Sequence, residues 1–283
     1  MTAPRPAAPG PRPRPPAPPP RRSWARRIAA IVTVALVAVA IGVGVALVIV
    51  KRVRTGEWRA PTVGDLAEIK RDVAQRLDGP PPVPRVIFLD PRPRTLTAGS
   101  DDAAAGTSSV IAHQGDAPRT VPGWKGSAKQ WRDLVTCVRA QFAAFDVEVT
   151  DQLPTTREHV LVAVGGRPKD IGVKDAQVAG LAPFNGEVIP RAVVFAFAAT
   201  QSHQPRGVCE TIAMEVAHAY GLDHEYLCSD VMSYLKPCGK RRFVDKDAPC
   251  GEKKARACAG GAATQNSFRR LLAVLGPRPA TTP

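Results

Sequence analysis

The residues from Glu215 to Tyr234 have the types and spacing of a hydrolytic metal centre. Glu215 and His218 are three apart, so on a helix they share one face. Gly221 comes three residues later and can take the left-handed conformation that ends a helix. A chain that reverses there brings His224 back toward His218. Two imidazoles and a carboxylate converging on one point can hold a metal ion and move a proton beside it. Met232-Ser233-Tyr234 begins eight residues after His224. The bland alternative is an amphipathic core helix with satisfied histidines, but four fixed residues within ten positions are rare on ordinary residue frequencies.

The run Met214-Glu215-x-x-His218-x-x-Gly221-x-x-His224 resembles the H-E-x-x-H-x-x-G-x-x-H pattern of the metzincin zinc endopeptidases (the matrixin, astacin and serralysin branches), and Met232 falls where their Met-turn follows. The resemblance implies Glu215 as general base, His218 and His224 as zinc ligands, Gly221 at the turn and Met232 beneath the metal. It also implies a catalytic role for Tyr234 beside it. One position departs: the first ligand of the pattern falls on Met214. A thioether is neutral and soft, suiting Cu(I) better than zinc, and catalytic zinc takes three protein ligands plus water. A third ligand would have to be Met214 itself, His203 or Tyr234. Two functions follow from the resemblance: a zinc endopeptidase, or a pseudopeptidase whose cleft binds a peptide or an envelope partner after loss of the metal.

The surrounding pattern suits an α+β fold of the metzincin kind: a twisted mixed sheet packed with a central motif helix, an earlier amphipathic helix and a C-terminal helix. Val86–Leu89, Val147 and Val149, His159–Val164 and Ala192–Ala198 read as short strands. Trp131, Leu134, Val135, Val138 and Phe142 mark a helix over about 127–144. Pro205 suits the first turn of the motif helix, whose Val208, Ile212, Val216 and Ala219 would pack on the sheet. Thr211, Met214, Glu215 and His218 would face a cleft. Phe268, Leu271, Leu272 and Leu275 mark the last helix, stopped by Gly276-Pro277. Residues 91–126 carry little periodicity and read as loops with room for a hairpin. The domain is expected over 85–276, with a disordered tail at 277–283.

Ahead of it the chain is not globular. Residues 1–27 are rich in Pro and Arg and read as a disordered cytoplasmic tail. Residues 28–50 are free of charge and long enough to span a bilayer as a helix. Seven arginines precede that span and four basic residues closely follow it, which places the N-terminus in the cytoplasm. An uncleaved anchor is favoured over a signal peptide, because the apolar run continues past the Ala38-Val39-Ala40 sequence. Residues 51–84 read as a stalk with one short amphipathic helix. Most of the formal charge of +14 gathers in residues 1–60, which hold 11 Lys/Arg against one acid, so it reports a membrane-flanking tail rather than a nucleic-acid surface.

All six cysteines (Cys137, Cys209, Cys228, Cys238, Cys250, Cys258) follow the span, and none forms a C-x-x-C pair. An even count on one side of a membrane reads as disulfides in an oxidising compartment. Loop closure favours Cys228–Cys238 and Cys250–Cys258, leaving Cys137 to staple one helix to another through Cys209. The expected cofactor is zinc, and the expected partners are a membrane and a peptide or protein, with no nucleic acid.

Overall fold

The computed structural model describes residues 82–280 apart from Asp116. The expected cytoplasmic tail, the expected span over 28–50, the expected amphipathic helix of the stalk and the last three residues lie outside the described residues. Among the described residues no helix is long and apolar enough to cross a membrane.

A five-stranded mixed sheet forms the frame. Its strands β1 (Val86–Asp90), β5 (Glu148–Thr150), β6 (Val160–Val164), β7 (Gly180–Leu181) and β8 (Val193–Ala196) lie in the order β5-β1-β6-β8-β7. The first four in that order run parallel, and β7 pairs antiparallel with β8 at the edge. β1, β6 and β8 are continuous apolar runs because both faces of the sheet are covered. Alternate residues therefore go to two cores. Ile87, Leu89, Val160, Val162, Val164, Val194 and Ala196 face the helices. Phe88, Leu161, Ala163, Val193 and Phe195 face the other way.

What covers that second face was not expected from the sequence. The stretch 91–126 is a small subdomain: β2 (Arg94–Ala98), β3 (Thr107–Ser108), α1 (Ser109–Ala112) and β4 (Arg119–Val121), with the strands in the order β3-β2-β4. Its elements are too short to show a periodicity, yet they deliver Leu96, Ile111 and Val121 to the second core.

Two longer helices lie on the first face. α2 (Ala128–Gln141) is started by a reciprocal cap: Gln130 N donates to Ser127 Oγ at 3.2 Å and Ser127 N donates to Gln130 Oε1 at 2.8 Å. It buries Leu134, Val135 and Val138. α3 (Pro205–Ala219) opens on proline, as expected, and runs into Gly221. The Cys137–Cys209 disulfide joins the two helices, with the Cα atoms 6.0 Å apart. Cys228–Cys238 and Cys250–Cys258 close the two short loops the sequence suggested. α4 (Ser267–Leu275) packs Leu271 and Leu275 into the same core as α3. The chain stays docked past Gly276, since Arg278 N donates to Ala144 O and its guanidinium reaches Ala143 O and Val147 O. At the other end Val83 packs on the core, and the buried Tyr220 hydroxyl donates to Pro84 O at 2.9 Å.

Candidate metal centre

α3 carries one face of the site. Gly207, Glu210, Thr211, Met214 and Glu215 follow one another at helical spacing and line a cavity of about 760 Å³. His218 is one further turn along, buried. The helix stops at Gly221, whose φ is +85° and whose neighbours leave no room: a Cβ there would meet Gly186 O at 2.8 Å. Only glycine turns the chain at this point without strain.

The reversal does what the spacing implied. The rings of His218 and His224 meet edge to face with centroids 4.4 Å apart. Each ring is held by a backbone carbonyl. His218 Nδ1 donates to Leu222 O at 2.7 Å, and His224 Nδ1 donates to Met232 O at 3.3 Å. A carbonyl only accepts, so the proton sits on Nδ1 in both rings and Nε2 keeps its lone pair, as metal ligation requires. Burial, and the neighbouring His224, push the His218 imidazolium down to about 4. Burial lowers His224 in the same direction. Both rings are neutral at pH 7.

Met232, whose carbonyl holds His224, is fully buried. Asp230 fixes its turn by accepting from Met232 N and Val244 N, each at 2.8 Å, and from the Ser267 hydroxyl. Tyr234 stands half-exposed beside the pair, its ring centroid 4.4 Å from that of His224. Burial, and then the nearby Glu215, push its phenol up to about 12, so it stays protonated.

Glu215 is almost fully buried, and burial pushes its carboxyl up to about 8. The cover is β7. A Cβ on Gly180 would sit 2.6 Å from Glu215 Cγ and from Thr211 Cγ2. The edge strand therefore lies directly on the glutamate, and only a residue without a side chain permits that approach. Gly180 carried no signal in the sequence.

A second set of residues also escaped the sequence reading. Asp223 accepts from His224 N at 2.7 Å and Ala259 N at 2.9 Å, and Arg256 clasps its two oxygens at 2.6 and 2.8 Å. Burial opposes ionisation of Asp223, but Arg256 and the backbone N–H groups of Ala259 and His224 together outweigh it and hold the carboxyl at about 2. Arg256 also pairs with Glu252 at 2.7 Å. Both lie in the Cys250–Cys258 loop, where Gly251 N donates to His224 O at 2.9 Å. The loop fastens the backbone of His224 and also sends Glu252 and Lys253 to the cavity wall. Partners 33 residues apart leave no local pattern.

His203 does not reach the pair. It packs on Trp124 (centroids 5.0 Å apart) before the first turn of α3, roughly 20 Å of helix away from His218 at 1.5 Å per residue. Among the described residues, no three of His, Cys, Asp and Glu come close enough to hold a metal ion. Met214, 7% exposed and one turn before His218, falls where the sequence pattern would put a third donor. The donors present are two imidazoles and a thioether, and that set does not fit a tightly held catalytic zinc. No family model matches the chain, and no curated protein does.

Proposed function

We propose that the chain displays a metzincin-like domain on the extracytoplasmic side of a membrane, anchored by residues 28–50, and that the domain is a pseudopeptidase. It binds an extended peptide or an envelope-associated protein without cleaving it. The observation that carries this reading is Met214: the imidazole pair is posed as in a hydrolytic centre, while the third donor position holds a thioether.

The cavity supports a peptide as the occupant. It runs along α3 and under Val178–Leu181, and β7 is the edge of its sheet. An extended peptide can add to such an edge through backbone hydrogen bonds, with side-chain pockets supplying selectivity. Glu210 and Glu252 line it together with Lys236, Arg241 and Lys253, so the wall offers both signs of charge. Tyr234 adds a half-exposed ring at the end nearest the imidazoles.

The test is retention of an immobilised peptide library by the purified full-length chain, with zinc content and peptide cleavage measured on the same sample. The pseudopeptidase retains peptides, carries substoichiometric zinc, cleaves nothing, and retains them equally after Glu215→Gln. The zinc endopeptidase is the second reading, supported by the retained pair of imidazoles and by Glu215, which would act as its base. Cleavage that needs added zinc and disappears with Glu215→Gln would select it.

A further inference from the structure

We infer that Met214, His218 and His224 form a binding site for a soft monovalent cation, Cu(I), in place of the divalent ion the motif spacing suggests. The inference concerns the metal alone and stands whether or not the cavity takes a peptide.

Three observations converge on it. First, two donors are posed and the third lies one helical turn from His218. Both histidines spend Nδ1 on backbone carbonyls, so two Nε2 lone pairs are directed away from the protein backbone. The ring centroids are 4.4 Å apart, close enough for both to reach one ion. Met214 precedes His218 by four residues on α3, a spacing that leaves Cβ atoms about 5–6 Å apart on one face. Its side chain lines the cavity with Glu215 and Tyr234, and the Tyr234 ring itself touches His224. Tyr234 thus borders both the cavity wall that carries Met214 and the imidazole of His224.

Second, the donor chemistry discriminates. Thioether and imidazole nitrogen together select Cu(I) over harder divalent ions. All three donors are neutral, and the charge-burial cost of an ion grows with the square of its charge, so a divalent ion in this buried place would cost about four times as much as a monovalent one. A thiolate or carboxylate donor would have offset that cost for zinc. Met214 does not.

Third, no free thiol competes for a soft ion among the described residues. All six cysteines are tied in disulfides. The chain has only three methionines, of which Met1 is terminal and Met232 is fully buried with its carbonyl engaged by His224.

The experiment is a competition titration of the full-length chain with Cu(I) against bicinchoninate. It is run without oxygen, with ascorbate as the reductant so that the disulfides stay intact. X-ray absorption at the copper edge is recorded on the loaded sample. The expected result is one Cu(I) per chain with one sulfur and two nitrogen scatterers. Met214→Leu, close to methionine in volume, should weaken Cu(I) binding at least about tenfold and remove the sulfur scatterer. Met214→His should instead raise zinc retention by about 10–100-fold, the scale on which a metal-site partner acts. Circular dichroism and thiol counting confirm that each variant is folded and oxidised, and His224→Ala serves as a second loss-of-binding variant. Equal Cu(I) affinity in the parent and Met214→Leu would overturn the assignment. So would a sulfur signal that persists in Met214→Leu but vanishes in Met232→Leu, or a parent that holds zinc as tightly as Met214→His does. Peptide retention by the metal-free chain reads the pseudopeptidase proposal separately.

Discussion

Replacing Arg256 with Met should loosen His224 without touching it. Arg256 supplies two of the four hydrogen bonds that the nearly buried Asp223 accepts, and the other two come from His224 N and Ala259 N. Those bonds hold Asp223 at about 2 against an ordinary 3.8. At about 1.4 kcal/mol per tenfold change in acidity, the whole arrangement contributes about 2 kcal/mol at neutral pH. Arg256 supplies only part of that directly, and its side chain is 39% exposed, which screens the pairing. Its loss, however, strands a desolvated carboxylate at a cost of about 1–3 kcal/mol. We therefore expect Arg256→Met to lower the unfolding free energy by about 2 kcal/mol at pH 7, measured by urea denaturation. The sign in pH is fixed. A carboxyl held below its unfolded value contributes stability that is present above about pH 4 and lost as the pH falls through about 2. The gap between parent and variant should close over that window. Nitrogen NMR of the imidazoles should show His224 losing its fixed Nδ1–H tautomer, with His218, tied to Leu222, keeping its own. A gap under about 0.5 kcal/mol at pH 7, or one of equal size at pH 2.5, would refute the reasoning.

The Cys137–Cys209 bridge spans 72 residues, and replacing both cysteines with Ala should cost about 4 kcal/mol in urea, against about 2–3 kcal/mol for the eight-residue Cys250–Cys258 loop. Gly180→Ala forces a methyl into Glu215 and Thr211 and should cost about 1–3 kcal/mol, read as a lower midpoint in the same assay. Glu215 is raised to about 8 in the fold, so the stability it contributes is complete below about pH 4.5 and lost as pH rises through 8. By pH 7 the metal-free protein should have lost about 3 kcal/mol on this account, and Glu215→Gln should flatten that fall. A Glu215→Gln variant whose stability declines over pH 4.5–8 as steeply as the parent's would contradict the burial argument.

Much of the frame was legible because its elements are long or periodic. The apolar runs of β1, β6 and β8, the stripe of α2 and Pro205 at the head of α3 each declare their structure locally, and the disulfide pairing followed from loop length. The subdomain of 91–126 did not declare itself, since β3 and β4 are two and three residues long and leave no period to read. The edge strand β7 was equally hidden, being two residues that matter through where they lie. At the site, the meeting of the His218 and His224 rings was readable because one glycine encodes the reversal. The clasp on Asp223 was not, because Arg256 reaches it across 33 residues through a loop whose only local mark is a pair of cysteines. His203, a candidate ligand by residue type, was excluded only by its packing on Trp124.

The construction of the site explains how Met214 coexists with an intact imidazole pair. His218 is posed by Leu222 O, and His224 by Met232 O and Asp223. Met232 is posed by Asp230, and the reversal by Gly221 against Gly186. None of these interactions passes through the side chain of residue 214, which projects from a helix already fixed by its own backbone, by Cys209 and by the apolar residues facing the sheet. A donor can therefore change there while the geometry of the other two stays where it was. On the Cu(I) proposal the cost of that change falls on the ion: both rings keep Nδ1 on a backbone carbonyl whatever residue 214 is, and the third side chain would set which metal suits them.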